Sequence, residues 1–221
     1  MGAAVRKQYM MLAGKPIVCR TLEVFDACPC IDEIFLVVPP DDMNSCSDKW
    51  ISQLTLHKEI HLVAGGIERQ DSVYRGIQAV SDRSSCEIVV IHDAVRPFVS
   101  FRMIEDCVAE ARVSGACIVG MQVFETAKRV KSGLIQHTLD RNAIWIAQTP
   151  QAFDFDLIRT AHAHARLDHF KGTDDAVLVE RLGHKVRIIT GSRLNMKITT
   201  PDDLALAEGI ILRMPTDCFS L

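Results

Sequence analysis

The sequence is short of several things, and each shortage excludes something. No apolar run approaches the ~20 residues that a membrane-spanning helix needs, and the opening Met1-Gly2-Ala3-Ala4-Val5-Arg6-Lys7 lacks the hydrophobic core of a secretory signal. Excess positive charge is missing: 25 Lys and Arg stand against 28 Asp and Glu, a formal net charge of −3. Nucleic-acid binding needs clustered cations, so neither nucleic acid nor membrane is an expected partner. Eight cysteines are present, yet Cys19, Cys28, Cys30, Cys46, Cys86, Cys107, Cys117 and Cys218 contain no Cys-x-x-Cys pair. This spacing disfavours a structural zinc site or a disulfide framework, and reduced thiols in the cytoplasm are the expectation.

What is present is a folded chain. Its 221 residues are 48% hydrophobic and 24% charged, enough to bury a full core, and no linker, repeat or low-complexity run divides them. Residues 1–221 therefore read as a single domain. Apolar spacing predicts helices over Pro16–Phe25, Trp50–Leu56, Ser72–Val80, Met103–Ser114, Phe155–Ala165, Asp174–Leu182 and Pro201–Leu212. Short apolar runs predict strands at Ile34–Val38, Ile60–Val63, Ile88–Ile91, Ala116–Val123 and Lys185–Ile189, and Phe124–Ile135 reads as a hairpin with Ser132-Gly133 at its tip. Alternation of this kind specifies an α/β fold, layered around a mostly parallel twisted sheet.

Residues 88–97, Ile-Val-Val-Ile-His-Asp-Ala-Val-Arg-Pro, carry the strongest signal. An unbroken apolar strand reads as buried on both faces and exits directly into His92, Asp93 and Arg96, where open α/β sheets place their ligands. A capped loop with a solvated arginine fits the same residues. A second cluster, Ala64-Gly-Gly-Ile-Glu-Arg-Gln-Asp-Ser-Val73, puts two glycines between a strand and a helix start. Glycine admits close approach of a ligand, and a helix start offers free N–H groups. It is neither a Walker loop nor Gly-x-Gly-x-x-Gly, and a tight turn before a helix capped by Asp71 or Ser72 would explain it alone. Lys197, beside a strand-to-helix crossing, can reach a phosphate as a point charge, as can Lys7. Either one, taken singly, also reads as a solvated surface lysine.

Together and in this order, Lys7-Gln-Tyr, Gly65-Gly-x-Glu-Arg-x-Asp-Ser72, His92-Asp-Ala-x-Arg-Pro97, Asp140-Arg-Asn142, Thr149-Pro-Gln151, Thr173-Asp174 and Asn195-x-Lys197 resemble the 2-C-methyl-D-erythritol 4-phosphate cytidylyltransferases, from Met1 to about Glu208. The resemblance implies a Rossmann-like nucleotidyltransferase sheet with a protruding β-arm, here residues 124–145, exchanged between the subunits of a homodimer. It implies that CTP and methylerythritol phosphate, a polyol phosphate, give the cytidine diphosphate alcohol and pyrophosphate.

Carried over residue by residue, Gly65, Gly66 and Ser72 resemble the cytosine and ribose contacts, with Ile67 where some relatives have an acidic residue. Asp93 and Arg96 resemble the pair at the ribose and substrate edge, and Thr173 a further substrate contact. Lys7 resembles the lysine that stabilises charge on the α-phosphate, and Lys197 the one that positions the attacking phosphate. Arg141, Thr126 and Thr149 would come from the partner subunit, with Arg141 holding the substrate phosphate. Mg²⁺ would be held mainly through the CTP phosphates, with no protein ligand assigned. The attacking phosphate is already anionic, so no general base is required and His92 reads as structural.

The family opens with a strand and a glycine-rich loop that have no counterpart before Met1-Gly2. Roughly 20 residues would be absent on this reading, a central strand among them. Two accounts fit: a start codon assigned at an internal methionine, which is the favoured one, or a truly shortened, inactive protein. The chain as written would then show unpaired backbone, poor solubility and negligible turnover. Two alternatives share the motifs: a ribitol 5-phosphate cytidylyltransferase, differing at the acceptor end, and a non-catalytic truncated relative.

Overall fold

The computed structural model describes residues 6–83 and 85–213. After a short 3₁₀ turn at Lys7–Tyr9, a minimal ribbon pairs β1 (Met11–Leu12) with β2 (Lys15–Pro16). Helix α1 (Ile17–Ala27) buries Ile17, Val18, Leu22 and Phe25, the spacing that predicted it. Strands β3 (Ile34–Val38) and β4 (Ile60–Ala64) flank α2 (Met43–Lys49), and α3 (Arg69–Arg83) leads to β5 (Ile88–Ile91). Helix α4 (Phe101–Ser114) starts where Ser100 Oγ accepts from Met103 N and stops at Gly115, whose φ of +81° suits glycine. Then come β6 (Ala116–Gln122), the hairpin β7 (Lys128–Lys131) and β8 (Leu134–Thr138), and the long β9 (Trp145–Asp154). Helices α5 (Phe155–Leu167) and α6 (Ala176–Arg181), strand β10 (Arg187–Thr190) and α7 (Pro201–Ile211) complete the chain. Thr200 and Asp203 cap α7 reciprocally, each side chain bonding the other's backbone N–H.

The fold is α/β, with mixed pairing. One sheet has the order β10-β6-β9-β5; β9 runs antiparallel to both β5 and β6, while β10 is parallel to β6. Alternate residues of its strands serve the two faces. Ala116, Ile118 and Phe153 pack with Ile158, Ala161, Leu178 and Val179 of α5 and α6. Cys117, Val119 and Ala152 pack with Ile104, Cys107 and Val108 of α4 and with Phe25 of α1. Truncating a fully buried member such as Ile158 costs roughly 2–5 kcal/mol.

The parallel pair β3–β4 forms a separate two-stranded sheet. Between β3 and β5 lies a slot of about 590 Å³, lined by consecutive residues of both strands and by Phe25, Val73 and Ile77. Among the described residues, each of these two strands is hydrogen-bonded on one side only. Consequently β5 is not buried on both faces: Ile91 alone is buried, and Ile88, Val89 and Val90 are partly open because the slot borders them.

Two further expectations shift. The helix read at Trp50–Leu56 lies earlier, at Met43–Lys49, starting after Pro40-Asp41-Asp42. Trp50, Ile51 and Leu54 instead reach the core from a 3₁₀ turn, packing near Tyr9 and Val18. Neither Asp71 nor Ser72 precedes the helix as its cap residue, because α3 starts at Arg69.

The hairpin of the 124–145 arm turns at Ser132 and Gly133, both at positive φ, as a two-residue turn of this kind requires. Every residue of β7 and β8 is exposed, including Val130, Leu134 and Ile135.

Candidate functional site

Where β5 ends, Asp93 gathers cations from three parts of the chain. Its Oδ1 accepts from Arg69 Nε at 3.0 Å, and its Oδ2 lies 3.4 Å from Arg96 Nε and 3.0 Å from Lys197 Nζ. Arg69 is the first residue of α3, immediately after the Gly-Gly turn. Lys197 arrives because the segment before α7 is tied to the β5 exit, with Arg96 Nη1 donating to Asn195 O and Ile198 N to Val95 O. A small crevice of about 230 Å³ runs beside them, lined by Gln8, Val37, Val38, Asp93 and Lys197.

Burial alone would raise the Asp93 carboxyl pKa, but Arg69 and then Lys197 outweigh it and hold it well below the usual carboxylate range. Arg69 shows the converse: burial works against its charge, and Asp175 and Asp93 override that and raise its pKa. Its Nη1 donates to Asp175 Oδ2 at 2.7 Å, and Asp175 Oδ1 lies 3.1 Å from Nε2 of the fully buried His162.

The glycine turn is held by its own helix. Gly65 N donates to Val38 O, Gly66 N to Ser72 Oγ, and Ser72 Oγ to Glu68 O. A Cβ on Gly66 would fall 2.2 Å from Asp71 Cβ, so the turn admits no side chain there. Ser72 is thus a support of the turn. Beside it, Gln70 brackets the next loop, with Gly172 N donating to Gln70 Oε1 and Gln70 Nε2 to Phe170 O. Thr173 lies exposed in that loop.

Thr149 is buried, its hydroxyl accepting from Asp93 N of the same chain at 3.1 Å and lying 3.0 Å from His92 Nδ1. His92 Nε2 faces only the Arg96 carbonyl oxygen, so it carries the proton, and Nδ1 accepts from Thr149. Burial pushes the His92 pKa down to about 4, leaving it neutral. Thr149 therefore holds the Asp93 segment, with its hydroxyl hydrogen directed at His92.

Lys7 is exposed, and its neighbour Gln8 lines the crevice in its place. Arg141 and Thr126 are exposed on the arm, and Arg141 Nη1 donates to Phe124 O. The chain by itself thus brings together Gly65, Gly66, Ser72, Asp93, Arg96 and Lys197. Sequence reasoning missed Arg69, Asp175 and Gln8 as members, although Arg69 and Gln8 stand inside quoted motifs.

A glycine turn at the end of a strand, beside fixed cations outnumbering the carboxylates among them, defines an α/β enzyme that handles phosphorylated ligands. Residues 1–213 match the family model described as 2-C-methyl-D-erythritol 4-phosphate cytidylyltransferase. A protein of that name from Geobacter metallireducens is 45% identical over 212 residues, 96% of this chain and 91% of the relative. One from Syntrophotalea carbinolica is 48% identical, covering 96% of this chain and 90% of its own length. The crystal structure of 4-diphosphocytidyl-2C-methyl-D-erythritol synthase from Anaerococcus prevotii superposes with a TM-score of 0.86 at 31% identity, over 96% of this chain and 92% of that one.

The chain belongs to the 2-C-methyl-D-erythritol 4-phosphate cytidylyltransferase family. It is a nucleotidyltransferase, carrying out CTP-dependent cytidylyl transfer in the methylerythritol phosphate route to isoprenoid precursors.

Proposed function

We propose that the crevice around Asp93 joins CTP to 2-C-methyl-D-erythritol 4-phosphate by direct displacement, with the residues in the following roles. An oxygen of the acceptor phosphate attacks the α-phosphorus of CTP, the bond to the β-phosphate oxygen breaks, and pyrophosphate leaves with the electron pair. No proton has to be removed from the nucleophile. The task is electrostatic: a dianion must approach a triphosphate, which fixed cations and in-line positioning permit.

The Gly65-Gly66 turn receives cytosine and ribose through backbone groups, and Asp93 and Arg96 border the ribose and the acceptor. Lys197 moves from Asp93 to the attacking phosphate. Lys7, from its exposed turn, reaches the α-phosphate, and Thr173 extends the acceptor side. The observation that carries this reading is the convergence of Arg69, Arg96 and Lys197 on one carboxylate beside the glycine turn.

Magnesium fits as a companion of the nucleotide rather than as a resident of the protein. Asp93, the carboxylate lining the crevice, is already covered by cations, and no group of three His, Cys, Asp or Glu suited to a metal occurs among the described residues. Bound to CTP, the ion would supply charge neutralisation on the phosphates.

The working unit is a homodimer exchanging its arms, in the cytoplasm. The exposed apolar side chains of Phe124, Val130, Leu134, Ile135 and Ile146 support an arm that docks on a second copy. Exchange would carry Arg141 and Thr126 to the partner's crevice, where Arg141 grips the acceptor phosphate. Pyrophosphate release measured with CTP and each acceptor tests the reading. Turnover is expected with 2-C-methyl-D-erythritol 4-phosphate and not with ribitol 5-phosphate; equal rates with both would overturn the acceptor assignment.

A further inference from the structure

Behind the crevice lies a chain of polar contacts that cytidylyl transfer does not itself require, running inward from Lys197 through Asp93, Arg69 and Asp175 to His162, each in contact with the next. Its far end is closed to solvent, with Asp175 1% and His162 0% exposed. Arg69 is the link between the two carboxylates. Its Nε serves Asp93 and its Nη1 serves Asp175, a division of labour that a guanidinium fork performs and an ammonium does not.

Stability alone gives a weak reason for such an arrangement. Desolvating a chain of charges costs about as much as their attraction returns, and well-packed apolar residues commonly do as well. Position gives a better one. Arg69 opens the helix that follows the glycine turn, Asp93 follows β5, and Asp175 precedes α6, so one side chain ties together three segments, of which the one at Asp93 lines the crevice.

We propose that Arg69 is a positioning residue for cytidylyl transfer: anchored on Asp175 and His162, it fixes the Asp93 carboxylate and thereby sets how firmly Lys197 is held before a phosphate claims it. This rests on the reading that Asp93 and Lys197 border the substrates. Without Arg69, Asp93 would be free to turn and would lose one of its compensating charges. Lys197 would then be held more strongly and be delivered to the phosphate less often. The groups facing Asp93 are Arg69 from α3, His92 and Arg96 from its own segment and Lys197 from the segment before α7, with Asp175 behind Arg69.

The experiment compares Arg69→Met, Arg69→Lys and Asp175→Asn by steady-state kinetics. Arg69→Met is expected to lower kcat about tenfold or more while KM for CTP moves less than about threefold. Arg69→Lys, able to reach only one carboxylate, should recover part of that loss and leave kcat several-fold low. Asp175→Asn keeps the Arg69 charge beside Asp93 but removes its anchor, so kcat should fall several-fold with KM for CTP again within about threefold.

A kcat within twofold of the parent in Arg69→Met, or a kcat in Arg69→Lys no higher than in Arg69→Met, overturns the inference. If circular dichroism finds Arg69→Met unfolded, parental kcat in both Arg69→Lys and Asp175→Asn overturns it instead. Asp93→Asn separates the two levels. Full activity in that variant sinks the reading of the crevice itself, whereas an inert Asp93→Asn beside an indifferent Arg69→Met sinks only the role of Arg69.

Discussion

The Lys197 ammonium rests 3.0 Å from Asp93 Oδ2, so the cation assigned to the attacking phosphate is occupied by a carboxylate of its own chain until a stronger anion displaces it. Asp93→Asn should therefore act in two directions. Pyrophosphate is expected to bind about tenfold tighter by calorimetry, since one repelling charge is gone and Lys197 is released. Turnover should fall about a hundredfold, because the ribose and acceptor edge loses its anion. Weaker pyrophosphate binding would contradict the contact.

Thr149 can serve as a support of the Asp93 segment or as a substrate ligand, and Thr149→Val distinguishes these. The substitution keeps the shape and leaves Asp93 N and His92 Nδ1 unpaired in a buried place. It should destabilise the protein by about 2–4 kcal/mol in urea unfolding, with an unchanged m-value. The KM for the acceptor should stay within about twofold. Unaltered stability with a raised acceptor KM would return Thr149 to the substrate.

The acid sensitivity of the fold should centre on His92. Its pKa falls to about 4 in the folded state, from an ordinary value of about 6.5. The unfolded chain therefore binds the extra proton between those values. The contribution of neutral His92 is complete above pH ~6.5 and is lost as pH drops toward ~4, a span worth about 3 kcal/mol. Urea midpoints at descending pH are expected to drop more steeply for the parent than for His92→Gln. Parallel curves would refute the assignment.

Arm exchange has a complementation test. A dimer of Arg141→Ala with Lys197→Ala would concentrate both lesions in one crevice and leave the other intact. Equal mixing after unfolding and refolding is expected to recover about a quarter of parental activity from two inactive variants. If each arm served its own subunit, mixing would recover nothing.

Much of this was legible beforehand because it is local. The strands Ile34–Val38 and Ile88–Ile91 announce themselves by apolar runs, and the Ser132-Gly133 tip by its turn chemistry. The exit of β5 into Asp93 and Arg96 located the crevice. What escaped was non-local. Strand β9 hides around Thr149-Pro150, and its antiparallel course between β5 and β6 leaves no mark on neighbouring residues. Thr149 stands in a motif that records that a residue matters, and only the fold shows its hydroxyl engaged with Asp93 N and His92. Arg69 and Asp175 are 106 positions apart, and only folding makes them neighbours.

The slot between β3 and β5 has a consequence for the crevice above it. One jaw, Val38 with the Gly65 turn, belongs to the two-stranded half; the other, Asp93, belongs to the four-stranded half. Among the described residues no ladder rung joins these strands, so the jaw-to-jaw span is gauged by side chains such as Arg69 reaching Asp93 and Thr21 reaching Ala94 O. These side chains couple the two halves, so weakening the Arg69 link would loosen the glycine turn from the Asp93 segment.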